Sequence, residues 1–341
     1  MGTLFSQKQK SWQRNGTDFT FVDLFAGIGG FRIALEELGG KCVFSSENDK
    51  ECIKTYEVNF DKFPEGDITK IKPEKIPKHD ILCAGFPCQP FSISGHKKGF
   101  KDTRGTLFFN ILEIINKKKP KIVFLENVKH LKDHDNKNTL TVILNSLIEI
   151  GYKPEWQIVN AKDFGLAQNR ERILIIAHRK KSFDFTKLSK KKNACIKDIL
   201  DEKGNFEFLK KEGYTILPKD KWKTQSSGLI FCGFRNKAIR KNGVRPNTEH
   251  LSRVHKQPNR IYHINGTHPT LPSQETSGRF WIYDDKRVRK LTINECFRLQ
   301  GFPDDFEKVS NIGACYNQIG NAVAIPVIRD VGQEILKQLI K

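Results

Sequence analysis

The chain lacks most of the patterns that hold metal-bound or extracellular folds together. Its eight cysteines (42, 52, 83, 88, 195, 232, 296 and 315) include no C-x-x-C pair, and no histidine pair at ligand spacing accompanies them. That spacing argues against a structural zinc site, and no metal is expected. A disulfide framework is not expected either, because the chain is 341 residues long and residues 1–18 are polar with no apolar signal segment. No run approaches the roughly 18 apolar residues of a membrane span, so the expectation is a cytoplasmic protein with no membrane partner. No internal repeat is present. Acidic residues are also scarce, 39 against 59 Lys+Arg for a net charge of +20. The shortage is local: between His178 and Lys290 there are 27 basic and 11 acidic residues, which is +16 of the +20. A basic segment beside a nearly neutral one points to a polyanion held through phosphate contacts.

What the chain does have is an alternation of short apolar runs and amphipathic stretches. Phe19 to Phe25 reads as a strand, and Ala26-Gly-Ile-Gly-Gly30 turns it into a helix that Gly39-Gly40 stops. Further strands are expected at Cys42–Ser45, Asp80–Ala84, Lys121–Leu125, Trp156–Asn160 and Ile173–Ala177, with helices at Leu107–Lys117 and Thr139–Ile150. Strands separated by helices predict an α/β fold with a doubly wound, mostly parallel sheet. After Ala177 the pattern breaks into Lys-rich sequence with short β-like pieces such as Gly228–Phe231 and Arg260–His263. A helical pattern returns at Thr292–Gln300, and the tail from Ala322 to Ile340 is apolar at helical spacing. The expected division is a polar arm (1–18), a catalytic and cofactor-binding domain (19–185), a smaller β-rich domain (186–288) and a returning segment (289–341).

Three features converge on the expected carboxyl edge of that sheet, where open α/β folds bind ligands. Cys88 follows a buried strand in a loop that Pro87 and Pro90 keep from becoming helix. Glu126 ends the Lys121–Leu125 strand, and Arg170 and Arg172 precede the Ile173–Ala177 strand. A lone cysteine is more often a small buried hydrophobe than a nucleophile. The glycine turn comes with Asp23, Glu47 and Asp67, which makes the neighbouring site acidic. No P-loop Lys-Ser/Thr follows the glycines, which argues against a nucleoside triphosphate. A cation without phosphates suits such a site, and S-adenosylmethionine is a sulfonium of that kind; turn chemistry alone leaves NAD open.

Six motifs occur in order. They are Phe25-Ala26-Gly27-x-Gly29-Gly30, Gly85-Phe86-Pro87-Cys88-Gln89-Pro90-Phe91-Ser92, Glu126-Asn127-Val128, Gln168-x-Arg170-x-Arg172, Arg298-Leu299-Gln300-Gly301-Phe302-Pro303 and Gln318-Ile319-Gly320-Asn321-Ala322-Val323. Together they resemble the motif set of DNA (cytosine-5) methyltransferases, in particular the short bacterial type II enzymes of restriction–modification systems. The resemblance runs over nearly the whole chain from Phe19 and implies the S-adenosylmethionine-dependent methyltransferase fold.

It also implies roles for particular residues. Cys88 would be the nucleophile on carbon 6 of the cytosine, and Glu126 the acid at N3. Arg172 would hold the carbonyl oxygen, with Arg170 as the second basic residue of that motif. Phe25, Gly27, Gly30, Glu47, Asp67, Pro87, Leu107 and Asn321 would line the S-adenosylmethionine site. Asn48 stands where some relatives carry a tryptophan against adenine, so stacking there is expected to be weaker or to come from elsewhere. The basic segment corresponds in position to a target-recognition domain, with Gln257 and Arg260 as candidate base contacts and Thr270 beside them. Ser94 would fill the space left by a flipped base. The implied partners are double-stranded DNA and a functionally paired restriction endonuclease, with the enzyme acting as a monomer. Two rivals stand beside this reading: the same chemistry on RNA, and a non-catalytic DNA-binding descendant.

Overall fold

The computed structural model describes residues 10–14, 17–87, 107–237, 247–248, 250–273 and 281–340. Cys88 and Ser94 lie outside the described residues.

Among the described residues the strands and α-helices of the first half are β1 (Phe19–Leu24), α1 (Gly30–Glu36), β2 (Gly40–Ser46), α2 (Lys50–Phe60), β3 (Ile81–Gly85), α3 (Leu107–Lys118), β4 (Ile122–Val128), α4 (Asn138–Glu149), β5 (Lys153–Asn160), β6 (Gln168–Asn169) and β7 (Glu171–His178). Six of the strands form one sheet in the order β2-β1-β3-β4-β7-β5. Alternate residues of each central strand serve opposite faces. Phe21, Cys83, Phe124, Leu174 and Ile176 join one apolar cluster, and Val22, Leu82, Val123, Ile173 and Ile175 join the other. Both faces are therefore covered, which explains why these strands read as continuous apolar runs. Helices α3 and α4 close one face with Phe108, Ile111, Leu112, Ile143 and Leu147. Helix α1 and the C-terminal helix close the other with Ile33, Leu35, Val331 and Ile335.

The mostly parallel sheet expected from the sequence is present, with β7 as an antiparallel strand at its far side. β1, β2, β3 and β4 pair in parallel, but β7 runs antiparallel to both β4 and β5. A parallel pair needs a crossover of about a dozen or more residues, normally a helix. Between β5 and β7 the chain has only a 3₁₀ turn (Ala161–Phe164) and β6. No helix fits there, so the strand returns antiparallel.

A second sheet uses β8 (Tyr214–Ile216), β9 (Lys223–Thr224), β10 (Ile230–Arg235), β11 (Arg260–His263), β13 (Trp281–Tyr283) and β14 (Val288–Lys290). Its order is β14-β13-β11-β10-β8, with β9 also on β10. β12 (His268–Pro269) leaves that sheet and pairs in parallel with β6 of the first half. The chain then returns through α5 (Ile293–Leu299), α6 (Ile312–Asn321) and α7 (Ile325–Ile335). The N-terminal stretch is anchored as well: Trp12 is fully buried, with its ring 6.0 Å from those of Phe60 and Phe306. Among the described residues no helix is long and apolar enough to cross a membrane.

Candidate active site

The cleft begins where β1 turns into α1. Phe25 and Gly27 take left-handed backbone conformations, with φ of 57° and 55°. For a non-glycine residue such as Phe25 this conformation is costly and is held by its surroundings. A Cβ on Gly30 would come within 2.7 Å of a Val323 methyl, so the turn presses directly on the segment after α6. Glu47, just past β2, fastens the turn. Its Oε2 accepts the Gly27 N–H at 2.7 Å, and its Oε1 accepts those of Asn48 and Asp49 at 2.8 and 2.9 Å. Asp67 accepts from the Thr69 hydroxyl at 2.8 Å and its N–H at 3.0 Å, which holds its carboxyl below the ordinary range.

These groups open on one cavity of about 490 Å³. Phe25, Gly27, Gly30, Glu47, Asp67, Pro87, Leu107 and Asn321 all line it, and so do Glu126, Arg170 and Arg172. Asp23, read from the sequence as part of the same acidic wall, is absent from the lining. It is fully buried in β1, and neither carboxyl oxygen meets a hydrogen-bond partner among the described residues. Burial pushes its carboxyl up to about 8.

Glu126 and Arg172 meet because β4 and β7 are antiparallel. Val128 pairs with Arg172, and Glu126 with Leu174, so the end of one strand lies beside the start of the other. A spacing of two residues puts Arg170 and Arg172 on one face. Arg172 Nε lies 3.1 Å from Glu126 Oε1, with side-chain exposures of 16% and 12%. Burial raises the Glu126 carboxyl, opposed by the positive charges of Arg172 and then Arg170. On the other side Gly85 pairs with Glu126, so the chain leaving toward Pro87 and Cys88 departs beside this carboxyl. Asn127 fixes that departure, its Nδ2 donating to the Phe86 carbonyl at 2.7 Å. The sequence reading gave Asn127 no such task; its place between Glu126 and Val128 in a short motif was the available signal.

Comparison with known proteins decides what the cleft belongs to. The family described as C-5 cytosine-specific DNA methylase matches residues 19–337. Type II methyltransferase M.HpaII of Haemophilus parainfluenzae is 45% identical over 333 residues, which cover 94% of this chain and 90% of that protein. M.HhaI of Haemophilus parahaemolyticus is 42% identical, covering 94% of each. The chain belongs to the C-5 cytosine-specific DNA methylases. At the level of fold alone it is similar to a methyltransferase structure from Entamoeba histolytica, with a TM-score of 0.66, 19% identity and coverage of 96% and 99% of the two chains.

For a C-5 cytosine-specific DNA methylase the polymer is DNA, and the methyl donor of the family is S-adenosylmethionine. The residues present fit that donor. Among the described lining residues the acidic groups are Glu47, Asp49 and Asp67, from the segments beside the glycine turn, and Glu126, which sits with the cations Arg170 and Arg172. The cavity is of a size that encloses a small-molecule cofactor. Asn48 lines it too, so the position that sets this chain apart from some relatives does face the cleft.

Away from the cleft, the structure treats the other expected site residues differently. Arg260 Nη1 donates to Gln257 Oε1 at 2.6 Å, and its Nε donates to the His255 carbonyl at 3.1 Å. The two candidate base contacts thus sit side by side, each half-buried, where a 3₁₀ turn enters β11. The Thr270 hydroxyl donates to the Asn169 carbonyl at 2.7 Å and so joins the second lobe to the first. Arg170, expected with the catalytic groups, is 1% exposed and donates only to backbone carbonyls among the described residues.

Proposed function

We propose that this methylase attacks carbon 6 of a flipped cytosine with Cys88, using Glu126 and Arg172 to manage the charge that the attack creates. The observation that supports this most is the Arg172–Glu126 contact of 3.1 Å, in the same cleft as Pro87 and the glycine turn. Carbon 5 of cytosine is a weak nucleophile. A thiolate adding to carbon 6 breaks the C5–C6 π bond and moves its electron pair toward carbon 5 and N3. A protonated Glu126 meets N3, and burial favours that form. The Arg172 guanidinium meets the carbonyl oxygen and stabilises charge there. S-adenosylmethionine, when bound, supplies an electrophilic methyl group; Glu47, Asp67 and Asn321 would hold it, with Phe25, Gly27, Gly30, Pro87 and Leu107 shaping the wall. Loss of the carbon-5 proton then expels the Cys88 thiolate and restores the ring. Because carbon 6 is inaccessible in a duplex, the base must first leave the stack.

In this reading 19–185 carries the chemistry, 186–288 target recognition and 289–341 the return. Gln257 and Arg260 read bases, and Thr270 anchors the recognition lobe. Ser94 occupies the space of the extruded base. The enzyme acts as a monomer in the bacterial cytoplasm, on the DNA of the nucleoid. It marks a short site that a paired endonuclease would otherwise cut; the type II names of its relatives support this pairing.

The test is covalent trapping. A duplex with 5-fluorocytosine at the target, incubated with enzyme and S-adenosylmethionine, should give a stable adduct that peptide mapping places on Cys88. Cys88→Ser should abolish both adduct and transfer while still binding DNA. An adduct on another side chain would overturn the assignment.

A further inference from the structure

Arg170 and two buried glutamines close a ring of hydrogen bonds through the centre of the molecule. Arg170 Nη2 donates to the Ala322 carbonyl at 2.8 Å, and the same carbonyl accepts Gln300 Nε2 at 2.6 Å. Gln300 Oε1 accepts Gln168 Nε2 at 2.7 Å, and Gln168 Oε1 accepts the Leu271 N–H at 3.1 Å. The Leu271 carbonyl accepts Arg170 Nη1 at 3.4 Å, which completes the circuit. Two further bonds brace it: Arg170 Nη2 to the Gly320 carbonyl at 2.9 Å and Gln168 Nε2 to the Leu299 carbonyl at 3.0 Å. Gln168 and Gln300 are fully buried.

Each corner of the ring belongs to a different working part. Gln168 and Arg170 lead directly into the strand that carries Arg172. Leu271 follows β12, where the chain returns from the second sheet and pairs with β6. Gly320 and Ala322 flank Asn321 in the wall of the cleft, and Gln300 caps the end of α5. An arginine suits this place because its planar fork reaches several carbonyls at once, which a lysine ammonium cannot do in the same geometry. The atoms that close the ring are paired, while Arg170 Nε has no partner among the described residues; a buried network this nearly satisfied has one arrangement that is much better than its neighbours, so its parts move together or not at all.

We propose that Arg170 is a positioning residue which, with Gln168 and Gln300, locks the recognition lobe and the cofactor wall to the Glu126–Arg172 pair. Gln168 and Gln300 do not line the cleft, yet their loss should be felt there. Only the rate readout below rests on the proposed roles of Glu126 and Arg172; cofactor affinity is independent of them.

The test uses the full chain with Gln168→Met, Gln300→Met, their double variant and Arg170→Lys. Thermal melts first fix the folded fraction at the assay temperature. Per folded molecule, each single variant should raise both the dissociation constant for S-adenosylmethionine and the KM for duplex by about 10-fold, the scale of one well-coupled buried contact. The single-turnover rate should fall with them. The double variant should be no worse than the poorer single, because either change opens the same ring. Should Arg170→Lys fail to fold, the two glutamine variants decide alone. Variants that melt earlier but bind and transfer like wild type per folded molecule would reduce the ring to packing. Effects that multiply in the double variant would show separate contacts and overturn the lock.

Discussion

Glu126 faces opposed demands. Burial favours its neutral form, while the guanidinium 3.1 Å away favours the charged one, and the net shift is upward. The protonated acid is the useful form, present below the raised pKa and lost as pH rises through it. Single-turnover transfer should therefore show an alkaline decline. Glu126→Gln should slow transfer by about 10²-fold or more, on the scale of general acid catalysis, and should remove that decline. An unchanged profile would take the acid role away from Glu126. Asp23 offers a separate titration. Its folded-state carboxyl, pushed up to about 8, stays protonated where the unfolded chain has ionised. The folded form then binds the extra proton between about pH 4 and 8, and stability is lost as pH climbs through that window. Asp23→Asn should flatten the dependence of Tm on pH between 6 and 9; parallel curves for the two proteins would refute the assignment.

Among the elements, α5 shows how the return from the second sheet is pinned. Thr292 caps the helix, its hydroxyl accepting the Glu295 N–H at 3.2 Å while Glu295 Oε2 accepts the Thr292 N–H at 2.7 Å. The same carboxylate, fully buried, receives both Arg289 terminal nitrogens at 2.8 and 2.7 Å and the Asp201 N–H at 2.9 Å. Removing one partner of such a pair leaves the other charge buried, at a cost of about 3–5 kcal/mol. Glu295→Ala should lower the denaturation midpoint accordingly. A change within the scatter of surface substitutions would mean that Arg289 finds water instead. The helix was expected from its apolar spacing, and Thr292 began the expected range. The Arg289 partnership was not legible, because nothing local says which cation will reach a carboxylate.

Across the whole molecule, the +16 held between His178 and Lys290 predicts strongly salt-dependent DNA binding, with log affinity falling linearly in log salt. Within that segment two kinds of arginine should separate. Arg260 is half-buried beside Gln257, whereas Arg253 is exposed. Arg260→Ala should relax preference for the target site by about 1–3 kcal/mol at the affected base pair. Arg253→Ala should weaken all duplexes alike and reduce the salt slope by about 1. Competition binding on target and scrambled duplexes at several salt concentrations distinguishes them. A uniform loss for Arg260→Ala would make it a phosphate contact.

The ordered motifs, the apolar strands and the glycine turn were legible because each depends on neighbours a few residues away. Periodicity places Glu126 at a strand end, and turn chemistry places Phe25 to Gly30 at the mouth of a cleft. Direction is different. The sequence reading set Arg170 and Arg172 at the same carboxyl edge as Glu126, but a strand's side-chain period is the same whichever way it runs, and in a parallel β7 the residues before the strand would lie at the opposite edge. That is about 3.3 Å for every residue of an eight-residue strand. Pairing β7 antiparallel removed that distance. Tertiary contact also drew Asp23 into the core and bonded Gln257 to Arg260. It closed the Gln168–Arg170–Gln300 ring over residues up to 152 positions apart. The sequence by itself determined which reactive groups are present and the order in which they come. Their meeting was left to the packed structure, because hydrogen-bond partners far apart along the chain are chosen by shape and burial rather than by local pattern.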